Sequence, residues 1–308
     1  MVDFAKFKKS SADLSRLAKA LEDNNKKGSN NKDDRLYYPE RDKAGNASVV
    51  IRFLPAPAVD GDDGLPWVRM FSHGFQGPTN KWYIENSLTT LEQPDPVSEY
   101  NSFLWNSTTD DDHPNRKLAR KQKRQLQYYS NIVVVSDPKH PENERKLFLF
   151  RYGKKIYDKI NMLMNPEFEG DTQVDPFNFW TGRNFRLRIR KVDGQTNYDS
   201  SSFEDNSTAF STDDAYLERL WKESYSLLEL KDIKHFKSYD VLKAQLEKTL
   251  DLKFDDPSKG PIKASRQRPA APPPVRQQEP VEDDDDTTLP HLGGEEDVDS
   301  LEEFANLA

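Results

Sequence analysis

From Phe185 to Arg190 apolar and cationic residues alternate one for one. Phe185, Leu187 and Ile189 fall on one face of an extended chain and Arg186, Arg188 and Arg190 on the other, so the period of two predicts a strand with a core face backed by an arginine face. Residues 48–54 predict another strand, closed by Pro55 and Pro57, and shorter ones are predicted at residues 67–71 and 82–85 around a turn-rich Gln76-Gly77-Pro78-Thr79-Asn80. The β-branched run of residues 132–135 ends at the turn Asp137-Pro138. Helical spacing predicts a helix over Lys154–Met164, stopped by Pro166. A second covers residues 213–230 through Tyr216, Leu217, Leu220, Trp221, Tyr225, Leu227 and Leu228, read as core positions. A third carries the stripe Leu242, Leu246 and Leu250 behind a cap at Ser238 or Asp240. Near the start, Leu14, Leu17, Ala18 and Leu21 form one apolar face of a short helix capped by Ser10 or Ser11.

Short strands with turn signals, interrupted by a helix, predict an α+β fold with a mainly β core. The expected form is a small Greek-key barrel of the OB-fold type with an inserted subdomain and peripheral helices. The polar stretch of residues 24–34 reads as a linker, so the body starts near Arg35, and globular character stops at Asp255-Asp256-Pro257. Three parts follow: residues 1–34, a basic arm with its helix; residues 35–256, the core; and residues 257–308, a Pro-rich linker and tail. The arm helix either docks on a neighbouring copy or frays as a basic arm. The terminal Leu301-Glu302-Glu303-Phe304-Ala305-Asn306-Leu307-Ala308 reads as a segment that folds onto a partner.

Charge sharpens this division. The 308 residues carry a net charge of -8, but the chain from Glu279 onward holds twelve acidic residues and no Lys or Arg, which leaves residues 1–278 at +4. A mildly basic body with a detached acidic tail fits either a nucleic-acid binder that guards its own groove or a solubilising tail. Mean hydropathy is -0.93 and a third of the residues are charged, so disorder is expected in the tail. No apolar run is long enough to span a bilayer, no signal-peptide core is present, and there is no cysteine for disulfides or thiolate ligands.

The chemistry concentrates between Arg116 and Asn161. A basic run (Arg116, Lys117, Arg120, Lys121, Lys123, Arg124) leads into Tyr128-Tyr129, and Phe148, Phe150, Arg151, Tyr152, Lys154, Lys155 and Tyr157 follow. Cations neutralise phosphates and exposed rings give unstacked bases a face, a combination suited to a flexible single strand. The plain alternative is a charged strand–helix unit with its rings in a core. No phosphate loop, zinc-hydrolase helix or nucleophile elbow is present, so an enzyme is not expected. A metal-dependent nuclease of scattered carboxylates and a single-stranded RNA-binding translational repressor stand as the alternatives. His113 beside Asp110-Asp111-Asp112 and Pro114 reads as a surface loop rather than a metal site.

Four segments together resemble the single-stranded DNA-binding, or helix-destabilising, proteins of T-even-type phages. They are Ala44-Gly45-Asn46 with residues 50–55; His73-Gly74-Phe75 with Lys81-Trp82-Tyr83-Ile84-Glu85; residues 128–138 with Pro141-Glu142-Asn143-Glu144 and residues 151–160; and Asn197-Tyr198-Asp199 with the trailing helices. The resemblance implies an OB-fold that binds single-stranded DNA without sequence preference in replication, recombination and repair. It also implies cooperative self-association through the arm, with Lys8, Lys9, Ser10 and Ser11 at the matching positions. The acidic tail would recruit replication proteins such as a DNA polymerase and a helicase loader, in the cytoplasm of an infected bacterial host. The implied groove rings are Tyr128, Phe150, Tyr157, Tyr198 and Trp105, and the central basic motif maps to Lys123-Arg124. With Arg151, Lys154, Arg186 and Arg188 as further phosphate contacts, these form the expected DNA-binding set. Gln195 stands where the family has an aromatic. The family also holds a structural zinc on one His and three Cys, within residues 65–110 here. His73 remains, but Ser87, Asp95 and Ser98 occupy the thiolate positions, so no metal or other cofactor is expected. Packing around Phe71, Trp82, Tyr83, Val97 and Tyr100 is expected instead.

Overall fold

The strands run as β1 (Ala47–Phe53), β2 (Val68–Gln76), β3 (Trp82–Asn86), β4 (Gln125–Ser136), β5 (Leu147–Tyr152), β6 (Phe185–Val192), β7 (Gln195–Asn197) and β8 (Ser202–Phe203). The helices are α1 (Pro96–Asn106), α2 (Pro114–Lys121), α3 (Lys154–Met164), α4 (Asp214–Glu223) and α5 (Tyr239–Leu250). This computed structural model describes residues 33–254 except 169, 193 and 207–209. The expected arm helix with Lys8, Lys9, Ser10 and Ser11, the Pro-rich linker and the acidic tail lie outside the described residues. No described helix is long and apolar enough to cross a membrane.

The fold is mixed α+β, built on an antiparallel sheet in the order β3-β2-β4-β1-β6-β7, with β5 on β4 and β8 on β6. β4 is its spine. Gln125–Tyr129 pairs with β2 and Ile132–Ser136 with β1, while the opposite edge takes β5 along Tyr128–Val133. A strand that changes partner along one edge must bend, and the sheet curls around the core. Inside the curl pack Ile51, Phe53, Ile132, Phe150, Tyr152, Phe185, Leu187 and Ile189, closed by Ile156 and Ile160 of α3.

Several sequence expectations hold to the residue, among them α3 and the alternation of β6, whose Phe185, Leu187 and Ile189 are buried and whose arginines are exposed. The helix expected over residues 213–230 is shorter. Ser224 turns extended, because Asn131 on β4 clamps the backbone of Tyr225 in both directions (2.8 and 3.1 Å) and Asp60 caps the amides of Leu227 and Leu228. Two distant side chains thus override local periodicity. The basic run contains α2, and His113 is its N-cap, its Nδ1 accepting from the amide of Asn115 at 3.1 Å.

Arg52 is fully buried on β1. Its guanidinium donates to the carbonyl of Asn178 at 2.7 Å and to Asn184 Oδ1 at 3.4 Å, tying the segment before β6 over the outer face of the sheet. Burial lowers its pKa to about 10, and Asp175 and Glu204 oppose that shift.

Candidate nucleic-acid interface

The face of β4 that lines the core runs on past it into solvent. Its register on β2 sets Arg69 opposite Tyr128 and Phe71 opposite Leu126, so these side chains share that face. Arg69 is exposed and Phe71 half-buried. Two guanidiniums flank the Phe71 ring, Arg124 at 4.4 Å and Arg69 at 5.4 Å from its centroid. Next along the face come Tyr128, Tyr157 of α3 and Trp67. A cleft of about 270 Å³ opens there, lined by Trp67, Arg69, Tyr128 and Tyr157 together with Asp63, Leu65, Leu228 and Lys231.

The rings form a ladder. Phe150 stacks on Tyr152 (5.6 Å, 19°), Tyr152 on Tyr128 (5.7 Å, 18°), and Tyr128 on Tyr157 (4.0 Å, 5°). Trp67 meets Tyr157 edge-on at 5.9 Å. Phe150, Tyr152 and Tyr128 are buried, whereas Tyr157 and Trp67 are half-buried at the open end. The ladder therefore roots the outer rings in the core and presents only the last two. Burial pushes the Tyr128 phenol up to about 12, with Tyr157 adding to the rise and Arg69 opposing it, so Tyr128 carries no phenolate near neutrality.

The structure brings together Tyr128, Tyr157, Arg124 and Lys154, the last one helical turn before Tyr157 and 3.1 Å from Asp158. Lys123, exposed, precedes Arg124. Other expected residues stand elsewhere. Phe150 is a core ring, only 4% exposed. Arg151 is the cross-strand neighbour of Tyr129, to which it is hydrogen-bonded, on the face opposite Tyr128. Arg186 and Arg188 point from the outer face of β6, with Arg186 bonded to Glu204 at 3.1 Å. Tyr198 packs half-buried against the core. Trp105, on α1, lies under Arg116 and Arg120 at 4.3 and 5.4 Å. Sequence reasoning missed Trp67, Arg69 and Lys231 as wall residues, and assigned Phe71 to subdomain packing. Only the pairing of β2 with β4 puts that segment beside the basic run.

The four positions of the implied zinc do meet, but as a hydrogen-bond hub. Asp95 N-caps α1, its Oδ1 accepting from the amides of Val97 and Ser98 at 3.0 Å. Its Oδ2 accepts from the Ser87 hydroxyl (3.0 Å) and the amide of Leu88 (3.1 Å). A carboxylate offers about four lone-pair sites, and all are used. His73 Nε2 lies 3.3 Å from Asp95 Oδ1, off the line of a good hydrogen bond, and Nδ1 lies 3.1 Å from the Gln122 carbonyl. Burial opposes the Asp95 charge, but His73 and these donors outweigh it and hold the carboxyl below its ordinary range. A saturated carboxylate and two serine hydroxyls do not fit a tetrahedral zinc. Tyr83, Val97 and Tyr100 are buried in this subdomain as expected, and Trp82 is half-buried.

Comparison with known proteins adds an independent line. The family described as "gp32 DNA binding protein like" matches residues 45–250. The single-stranded DNA-binding protein of Enterobacteria phage T2 is 37% identical over 248 residues, covering 79% of this chain and 78% of that protein. That of Enterobacteria phage T4 is 37% identical over 239 residues, covering 76% of each. With curled sheet, ring ladder and family match in agreement over the same residues, the chain belongs to the gp32-like DNA-binding protein family.

Proposed function

We propose that this chain is a non-enzymatic, sequence-independent single-stranded DNA-binding protein of a T-even-type phage. The observation that carries the reading is the open end of the ring ladder, where Tyr157, Trp67 and Phe71 stand among Arg69, Arg124, Lys154 and Lys231. The relatives' names support it. Rings and phosphate-binding cations hold little base information, so sequence indifference follows. A base inside a duplex stack cannot reach such a cleft, so the open strand is the ligand and duplexes melt by trapping. We read the curled sheet as an OB-type barrel with its spine in β4. Lys123 extends the cationic path, and Trp105 offers a further ring. Arg151, Arg186, Arg188 and Tyr198 belong to the same proposal as outlying contacts, and Phe150 as support for the ladder.

The same proposal includes cooperative self-association through Lys8, Lys9, Ser10 and Ser11, and action in replication, recombination and repair in the cytoplasm of an infected host. The acidic tail would compete with DNA for the groove and recruit replication proteins once DNA displaces it. No zinc is required, because the Asp95 hub holds the subdomain. Metal analysis of tag-free protein should find no stoichiometric zinc, and a chelator should leave the melting temperature unchanged.

Fluorescence titration with poly(dT) and with a mixed-sequence duplex, at several salt concentrations, tests the reading. Quenching by the single strand alone is expected. With four to six phosphates neutralised, log K should fall with log[salt] at a slope of roughly -3 to -4. Equal binding to both ligands, or affinity independent of salt, would refute it.

A further inference from the structure

Trp105 and α2 form a second set of ring and cations, and it is already occupied. Arg116 and Arg120, one helical turn apart, both lie over the Trp105 ring and both converge on Asp111. Arg116 Nη1 meets Asp111 Oδ1 at 2.5 Å and Arg120 Nη2 meets the same oxygen at 3.2 Å, while Arg120 Nη1 donates to the Asp111 carbonyl at 2.7 Å. Lys117 pairs with Asp112 at 3.1 Å. Three cations of α2 are thus held by two carboxylates from the loop just before it. Two guanidiniums on one oxygen is also how arginines take a phosphate.

These carboxylates do not shape their loop. Asp110 does that, its Oδ1 accepting the amide of Asp112 and its carbonyl the amide of His113. Nor are they buried, since the side chains of Asp111 and Asp112 are 69% and 91% exposed. Pairs to carboxylates this exposed are screened by salt, so another anion can exchange with them. Exchange is readiest at Lys117 and Arg120, since Arg116 is more buried and its Nε also donates to the Thr108 carbonyl at 3.0 Å. The surface also continues into the cleft wall. Arg120 is four residues from Arg124, a span of at most about 14 Å, and Arg124 sits on Phe71.

We propose that Asp111 and Asp112 are internal phosphate mimics, displaced from Arg116, Lys117 and Arg120 when phosphates of a bound single strand reach α2. Displacement leaves the Trp105 ring flanked by cations as a stacking platform continuous with the cleft. This rests on the single-strand reading above and adds a gate to it.

The test uses the full chain and a fluorescent oligo(dT), read by anisotropy at several salt concentrations. Asp111→Asn with Asp112→Asn should raise affinity about three- to tenfold and steepen the salt slope by about 0.7 for each phosphate gained. Asp214→Asn, an exposed acid on α4, controls for net charge and should do neither. Arg120→Gln should cost more affinity in the Asp111→Asn, Asp112→Asn background than in the parent, because only there is the guanidinium released. An unchanged or weakened affinity of the double variant relative to Asp214→Asn would overturn the gate and leave the aspartates as a clamp. Failure of the parent protein to bind oligo(dT) would instead overturn the single-strand reading itself.

Discussion

Along one face of β2 the chain passes from solvent to interior within a few residues: Arg69 is exposed, Phe71 half-buried and His73 buried. The polar groups at the two ends of that face differ in one physical respect. At the His73 end, Asp95 has every oxygen lone pair filled by a protein donor. At the Arg69 end, the guanidinium of Arg69 lies by the Phe71 ring instead, and no carboxylate pairs with Arg69 among the described residues. A satisfied hub adds rigidity and has nothing left for a ligand. The exposed Arg69 guanidinium and the half-buried ring faces beside it can still take a ligand. The comparison separates a site that holds the fold from one that can bind, although both are dense in polar side chains.

The comparison breaks hardest at the hub. Asp95→Ala leaves the Ser87 hydroxyl and the amides of Leu88, Val97 and Ser98 without their acceptor, and should cost about 3–5 kcal/mol, seen as a melting temperature lower by roughly 10 °C. Below that temperature the affinity for oligo(dT) should stay within about twofold of the parent. A large loss of affinity with unchanged stability would erase the distinction.

The reverse pattern is expected at the ladder. Tyr157→Ala should weaken single-strand binding by about 1–3 kcal/mol, read by titration, with little effect on melting. Phe150→Leu, deeper in the same ladder, should lower stability by about 1–2 kcal/mol and leave affinity nearly unchanged. At Arg69, replacement by Gln should act most gently, flattening the salt slope by about 0.7. The smallest effect is with pH. Because the Tyr128 phenol is pushed up to about 12, it does not ionise between about pH 7 and 9, and affinity should be flat across that range.

Local pattern was enough for some of this. The alternation of Phe185–Arg190 and the bounds of Lys154–Met164 follow from periodicity, and the basic run with Tyr128 marked one side of the wall. What escaped depends on pairings distant in sequence. Trp67 and Arg69 lie about sixty residues before Tyr128, and only strand register brings them together. Arg52 has no role in the sequence pattern, yet it is buried under the carbonyls of Asn178 and Phe179. The end of α4 is set by Asn131 and Asp60, from other parts of the chain. The arginines of β6 read correctly as a surface, but the sheet turns that surface away from the ring ladder, which no strand pattern alone reveals.

The most direct test of the central claim is photocrosslinking of the full chain to an oligo(dT) containing 5-iodouracil, with the linked peptides mapped by mass spectrometry. Crosslinks at Trp67, Phe71 and Tyr157 are predicted, lost when duplex replaces the single strand. Crosslinks confined to the β6 face or to the exposed Trp180, with the cleft rings unlinked, would contradict it.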